Sequence, residues 1–239
     1  MAIDLSCGSD TNTKDLLEGG GSSTLDSGVY DATVKQVYFT KTKAGSNQAN
    51  VVLDINGQVK TFPLYLCYKE TGKPTRKNAK GVIEVMPGYK TLNALSYVIT
   101  GKTVDQLAQE DKTVMIYNFT SKKDEPNTAT CLAELMGAKI KAAIKRVNKH
   151  KQVKVNGIYT PTTETFLTNE VDHYFSEDGF TASELVGKKE ATYYKVWSDK
   201  FTGKIIEEKL KTTPVDVSME AAKASAGGAG VSVDDLFND

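Results

Sequence analysis

Residues 28–40, GVYDATVKQVYFT, alternate apolar and polar positions and are rich in β-branched and aromatic side chains. That is the period-2 pattern of a half-buried strand. The clearest local signal follows it. ANVVLDI and QVKTFPLYLCY are two apolar runs separated only by Asn56 and Gly57. A two-residue type I′ turn needs positive φ at both central positions, which Asn-Gly tolerates, so a β-hairpin is predicted there. Pro63 has no N–H to give a sheet, which puts the second strand at an edge or a bulge. GYKTLNALSYVITG sets Leu92, Leu95 and Ile99 at helical spacing and stops before Gly101. TVDQLAQE reads as a second short helix and KTVMIYNFT as a strand. NTATCLAELMG reads as a short helix stopped by Gly137.

AKIKAAIKRVNKHKQVKVNGIYT can be read in two ways. Alanine and lysine favour helix. Ile140, Ala142 and Ile144 nevertheless alternate with Lys139, Lys141 and Ala143, and Val153 and Val155 alternate again. The pattern predicts two strands joined by a basic turn, RVNKHKQ. ETFLTNEVDHYF suggests a helix and TASELVG a short helical piece. EATYYKVWSDKFTGKIIEEKL reads as two strands around residues 200–203. No 20–50-residue repeat is present, which argues against a solenoid. Seven or more strands, with three or four short helices inserted, are joined by short turns rather than helical crossovers. The expected class is therefore α+β, mainly β, an antiparallel barrel or sandwich with short helical insertions.

Charge divides the chain where hydrophobic pattern does not. Thirty basic and thirty acidic residues cancel overall. Residues 1–28, rich in Gly, Ser, Thr and Asp, carry five carboxylates against Lys14, and residues 212–239 carry five against Lys223. The middle, 29–211, then holds 28 basic and 20 acidic residues. The expected organisation is a mobile acidic N-terminal segment (1–28), a basic domain (29–211), and a flexible linker with an acidic tail (212–239). No segment approaches the ~20 apolar residues of a bilayer span, and no membrane partner is expected. The N-terminus MAIDLSCGSD is acidic and polar, unlike a secretory signal. Cys7, Cys67 and Cys131 are far apart and form no CxxC pair, which excludes a zinc ribbon and points to a reducing cytoplasm.

Catalytic chemistry finds little purchase. There is no P-loop and no GxGxxG after a strand. His150 and His173 are the only histidines, and a metal site needs three or four converging ligands. His173, beside Glu170 and Asp172, reads as structural, and His150 as a solvated donor. No Ser/His/Asp or Cys/His set stands out. Neither an enzyme nor a cofactor or metal is expected.

Binding chemistry is better represented. From Leu135 through Thr163 there is no acidic residue, yet Lys139, Lys141, Lys145, Arg146, Lys149, Lys151 and Lys154 stand there. With no acids interleaved, local salt bridging does not account for them. A second basic loop after the hairpin carries Lys69, Lys73, Arg76 and Lys77, with Lys80. Such surfaces attract phosphates, because each neutralised phosphate releases condensed counterions. Single-strand binding also needs flat faces, and base–aromatic stacking contributes ~1–3 kcal/mol per base. Read as a strand, ATYYKVW puts Tyr193, Lys195 and Trp197 on one face. Tyr65 points opposite to Phe62, Leu64 and Leu66, and Tyr159 stands beside the basic segment.

The chain closes on AKASAGGAG and then VSVDDLFND. A terminus that served only solubility has no use for Leu236 and Phe237, and one that served only packing would not surround them with Asp234, Asp235 and Asp239. A basic, strand-rich body, a Gly/Ala linker and this acidic, phenylalanine-bearing end resemble single-stranded DNA-binding proteins. VVLDINGQVKTFPLYL and GKKEATYYKVW are similar to bacteriophage members of that class. The bacterial tails close on proline and phenylalanine, whereas here Asn238 and Asp239 follow Phe237. The resemblance implies an elaborated OB-like barrel that coats single-stranded DNA in phage replication or recombination. It implies no catalysis, a tail that recruits replication or recombination proteins, and possible self-association. The alternatives are a nucleic-acid-processing enzyme or accessory, nuclease- or primase-like, and a virion assembly protein. Metal-dependent turnover distinguishes the first, and absence of oligonucleotide binding the second.

Overall fold

Residues 24–42, 45–69, 71–118, 120–155, 158–210 and 212–215 are described in a computed structural model. The chain forms β1 (Gly28–Lys41), β2 (Asn47–Ile55), β3 (Gln58–Tyr65), β4 (Thr75–Lys77), β5 (Ile83–Val85) and α1 (Pro87–Thr100). It continues through β6 (Glu110–Asn118), β7 (Lys123–Cys131), β8 (Lys139–Val155), β9 (Ile158–Phe175), α2 (Ala182–Val186), α3 (Tyr193–Phe201) and β10 (Ile205–Glu207). The protein is mainly β, with one large and largely antiparallel sheet. No helix among the described residues is long and apolar enough to cross a membrane.

β1 organises the sheet because it has different neighbours along its length. Gly28–Thr33 pair with β8, while Thr33–Lys41 pair with β2 on the other edge. A bulge between Val34 and Gln36 turns the strand between these two partners. β3 pairs with β2, and β9 with the opposite edge of β8. β3 and β9 are not hydrogen-bonded to each other, so the sheet is not closed. The β2–β3 turn has the predicted chemistry: Asn56 and Gly57 have φ of 52° and 80°, and Ile55 pairs with Gln58. Among the described residues β3 has no other strand partner, which suits Pro63.

The main core lies inside this curved sheet. Val34 and Val37 of β1 meet Ala49, Val51, Leu53 and Ile55 of β2, Phe62 and Leu64 of β3, and Ile140 and Ile144 of β8. α1 covers it with Leu92 and Leu95 and packs against β3 and β9. Its docking depends on Gly88, where a Cβ would stand 2.2 Å from the Tyr65 carbonyl oxygen. Gly101, φ 71°, ends the helix as expected. A second cluster of Ala143, Phe175 and Trp197 seats α3 against β8 and β9.

Several sequence expectations change, each because a distant partner overrides a local pattern. NTATC does not begin a helix: it extends β7, which β6 pairs along its whole length, and only Ala133–Leu135 makes a helical turn. TVDQLAQE shortens likewise to a single 3₁₀ turn, Val104–Gln106. RVNKHKQ is no turn, because β8 runs unbroken with β9 on one edge and β10 continuing the other edge beyond β1. ETFLTNEVDHYF is strand β9. Its helix-like pattern arises because Tyr174 fills the main core while Phe175, next to it, fills the second cluster. EATYYKVW is not a strand: Tyr193, Trp197 and Phe201 recur every four residues along helix α3.

One buried carboxylate ties the two late helices together. Glu184 accepts from the Thr181 backbone N–H at 2.8 Å and its hydroxyl at 2.9 Å, closing a capping box on α2. Its other oxygen accepts from the backbone N–H groups of Thr192 at 2.9 Å and Tyr193 at 2.8 Å, at the start of α3. Burial opposes its charge, but these donors outweigh burial and lower its pKa to about 2. A carboxylate held below its unfolded value stabilises the fold above the unfolded pKa, and the stabilisation is lost as pH falls through the folded one. Glu184→Gln is expected to cost about 2–3 kcal/mol at pH 7. The gap to the parent should shrink between about pH 5 and pH 2, because protonation removes the same charge from the parent. Thermal melts at pH 7, 4 and 2.5 check this, and a gap independent of pH contradicts it.

Candidate nucleic-acid interface

The acids missing from the basic segment are supplied by other strands. Lys141 pairs with Asp31 at 2.6 Å and Arg146 with Asp26 at 2.8 Å, both from the β1 side. From β9, Asp172 meets Lys145 at 2.7 Å, Glu170 meets Lys149, and Glu164 meets Lys151 at 2.8 Å. Five of the seven positive charges on β8 are therefore matched by acids from other segments, pairings that the local spacing of acids and bases does not record. Lys139 and Lys154 are the two that form no ion pair among the described residues.

Lys145 is the most deeply committed of these cations. Besides Asp172 it lies 4.3 Å from the Phe201 ring centre. Asp172 Oδ2 accepts from the Trp197 indole N–H at 2.7 Å, and the His173 Nδ1 lies 2.9 Å from that same oxygen. Burial works against the charge, but hydrogen bonds from His173, Lys145 and Trp197 prevail and hold this carboxyl well below the usual range. The cluster joins β8, β9 and α3 and is structural. His150 is also engaged, its Nδ1 2.6 Å from the Thr162 carbonyl oxygen. Among the described residues no three His, Cys, Asp or Glu side chains are placed to hold a metal ion.

The second basic loop forms a small separate hairpin, β4–β5. Arg76 is fastened there, 3.1 Å from Glu84 and stacked 4.3 Å over the Tyr68 ring. Lys69, Lys73, Lys77 and Lys80 are exposed on or beside this hairpin. Lys73, Lys77 and Lys80 form no ion pair among the described residues.

The aromatic candidates separate in the same way. Tyr65 faces solvent on the free strand β3, as the alternation predicts. Tyr159 is 58% exposed near the tip of the β8–β9 hairpin, where Lys154, its cross-strand partner, stands 5.9 Å above its ring. Tyr193, at the start of α3, is partly covered by His173, with ring centres 5.0 Å apart. Trp197 is 1% exposed and leaves the stacking set. Lys195 is exposed, but in a helix it does not share a face with Trp197, so the stack–cation–stack arrangement does not form.

The C-terminal residues Asp234, Asp235, Leu236, Phe237 and Asp239 lie outside the described residues. The last described segment meets β9, where the Val215 N–H donates to the Pro161 carbonyl at 2.8 Å and the Val215 carbonyl accepts from Thr163 at 3.1 Å. This point is on the hairpin that carries Lys151 and Lys154.

One surface carries chemistry that the pattern of lysines did not reveal. The β6–β7 hairpin folds over the outer face of β1–β2–β3 and leaves a cleft of about 690 Å³ beneath it. Val59, Met115 and Tyr117 line that cleft and are exposed. The signal was present in VMIYN, whose four apolar residues fill both faces of a strand. Val114 and Ile116 pack toward Tyr38 and Val52, and Met115 and Tyr117, which border the cleft, are left on the opposite, exposed face. Comparison with protein-family models and with curated proteins finds no match.

Engaged and disengaged lysines should behave differently. Lys145→Ala leaves Asp172 half-buried with one charged donor fewer and should cost about 2 kcal/mol. Lys154→Ala and Lys77→Ala should change stability by less than about 0.5 kcal/mol. Urea unfolding of the three variants checks the contrast, and equal midpoints would place Lys145 on the solvated surface.

Proposed function

We infer that the chain is a single-stranded DNA-binding protein on an OB-like barrel, which coats unpaired DNA in replication or recombination and has no catalytic role. The observation that carries this reading is the exposed Tyr159 ring with Lys154, which forms no ion pair among the described residues, 5.9 Å from its centre near the tip of the β8–β9 hairpin. Lysines on phosphate supply sequence-independent affinity, and rings supply stacking that every base can satisfy. The strand order supports the OB-like part. Three strands β1–β2–β3 lead to a helix, and the hairpin β8–β9 returns to lie on β1. OB barrels use the face of their second and third strands, with the loops flanking it, to hold oligonucleotides. In this reading β4–β5, β6–β7 and the α2–α3 pair are additions to that barrel.

The acidic end is then a competitor and a lure. Asp234, Asp235 and Asp239 lie on the protein's own cations until DNA displaces them, which frees Leu236 and Phe237 for an apolar pocket on a replication or recombination protein. The contact of Val215 with Pro161 and Thr163 on the lysine-bearing β8–β9 hairpin supports the idea.

Fluorescent oligo-dT should bind far better than a duplex of equal length, with affinity falling steeply as salt rises. Replacing Lys73, Lys77, Lys80, Lys139 and Lys154 together by alanine should weaken binding. The log–log salt slope should flatten by roughly 0.7 for each phosphate that is no longer neutralised. The melting temperature should hardly move. Equal affinity for duplex and single strand refutes the assignment.

The tail is checked by neutralisation. Asp234→Asn, Asp235→Asn and Asp239→Asn together should raise oligo-dT affinity, most at low salt, where screening is weakest. Phe237→Ala preserves charge, so DNA affinity should stay while retention of the cognate DNA polymerase falls. Lower DNA affinity in the neutralised variant contradicts competition.

A further inference from the structure

Among the named strands β9 pairs with β8 alone, so its other edge is free. The ladder fixes which backbone groups that edge presents. On the side of β8 away from β9, the Asn148 carbonyl accepts from the Glu208 N–H at 3.0 Å. On the same side the Arg146 N–H donates to Ser27 Oγ at 2.8 Å and the His150 N–H to Glu208 Oε2 at 2.9 Å. Their antiparallel partners, Leu167, Asn169 and Thr165, therefore turn their own N–H and C=O groups to the free edge of β9. None of these three N–H groups has a partner among the described residues. A row of this kind is a template for another strand.

Val215 already uses the start of the template. Its N–H donates to the Pro161 carbonyl at 2.8 Å and its carbonyl accepts from the Thr163 N–H at 3.1 Å, the two bonds of a parallel bridge at Thr162. Pro161 serves only as an acceptor there, so its missing N–H costs nothing. Burial changes at the same point. Pro161 and Thr162, beside Val215, are buried, whereas residues 163–167 are exposed, with Phe166 at 46% and Leu167 at 38%. Because the bridge is parallel, Val215 directs the chain the way β9 runs, from Thr163 toward Val171. That direction leads into a cleft of about 570 Å³ between Thr168, Asn169 and Val171 of β9 and Thr61, Pro63 and Tyr65 of β3. β3 is the poorer template. The Leu66 N–H donates to the Asn47 carbonyl on the β2 side at 3.0 Å, so by alternation Pro63 faces the gap and interrupts its donors. Beyond Val215 the sequence reads DVSMEA, with Val217 and Met219 alternating with Asp216, Ser218 and Glu220 in the period of a strand.

We propose that residues 216–221 add to the free edge of β9 as a parallel strand, so that the chain itself occupies an edge open to a foreign strand. Continuing the register of Val215 gives every free donor a partner. The Thr165 N–H donates to the Val217 carbonyl, Leu167 to Met219 and Asn169 to Ala221. In return the Val217 and Met219 N–H groups donate to the carbonyls of Thr163 and Thr165. Met219 falls beside Phe166 and covers it. The added strand guards the edge against pairing between molecules. It also delivers the Gly/Ala linker to the cleft where Tyr65 and Gly88 stand. The inference does not depend on DNA binding.

Residue-resolved hydrogen exchange of the full chain tests it. The Thr165, Leu167 and Asn169 amides should exchange slowly in the wild type, a measurement that does not depend on how any variant folds. Val217→Pro removes the first donor of the added ladder. It should speed exchange at all three sites by roughly 3–10-fold, the contribution of about one backbone hydrogen bond. Met219→Pro should release Leu167 and Asn169 and leave Thr165 protected. The Ser218 N–H faces away from β9, so Ser218→Pro should leave all three protected. Fast exchange at Leu167 and Asn169 in the wild type, or equal effects of the three prolines, overturns the proposal. Protection that rises with protein concentration and survives both Val217→Pro and Met219→Pro assigns the edge to a second copy and also overturns it.

Discussion

The shared strand β1 is the constraint on which the rest of the structure depends. Its first half belongs to β8 and its second half to β2, and the bulge at Lys35 lets one chain serve both. Without that turn the core would be split, since Ile140 and Ile144 arrive on β8 while Val51, Leu53 and Ile55 arrive on β2. The same geometry sets the surfaces. It brings Asp26 and Asp31 against β8, where they engage Arg146 and Lys141. It also presents the outer face of β1–β2–β3 to the β6–β7 hairpin. The unbroken apolar run of β2 follows, because Val51 and Leu53 face the core while Asn50 and Val52 lie buried under that hairpin.

The charges form two populations with different work. Lys141, Lys145, Arg146, Lys149 and Lys151 hold strands together through cross-sheet carboxylates. Exposed pairs of this sort contribute little, ~0–1 kcal/mol each, but Lys145 is sheltered and its partner Asp172 also anchors Trp197. Lys73, Lys77, Lys80, Lys139 and Lys154 form no ion pair among the described residues. A high count of lysines on one strand therefore overstates its binding capacity. What matters is how many of them the fold has already neutralised.

Much of the fold was legible because its signals are local. The Asn56-Gly57 turn, the edge position of Pro63, the α1 stripe of Leu92 and Leu95 and the stop at Gly101 each express a preference of a few consecutive residues. Tyr65 was placed correctly by simple alternation. The misread segments lie where residues on both faces are used at once. Tyr174 and Phe175 fill separate clusters, and Val114 to Tyr117 are apolar throughout. Period-2 and period-3.6 patterns cannot be told apart in such runs, and the partner strand or helix decides.

By itself, then, the sequence determined the Asn56-Gly57 turn, the stop at Gly101, the strand-rich class, the basic middle and the acidic ends. These follow from dihedral preferences, periodicity and composition, which need no knowledge of distant contacts. Only the tertiary structure decided that β8 is continuous, that Trp197 is buried, and that Met115, Tyr117 and Val59 surround one cleft. It also decided which lysines are neutralised, because Asp31 and Lys141 are 110 positions apart, and Asp26 and Arg146 are 120. Contacts at such separation arise only when the whole sheet assembles, and no local pattern records them.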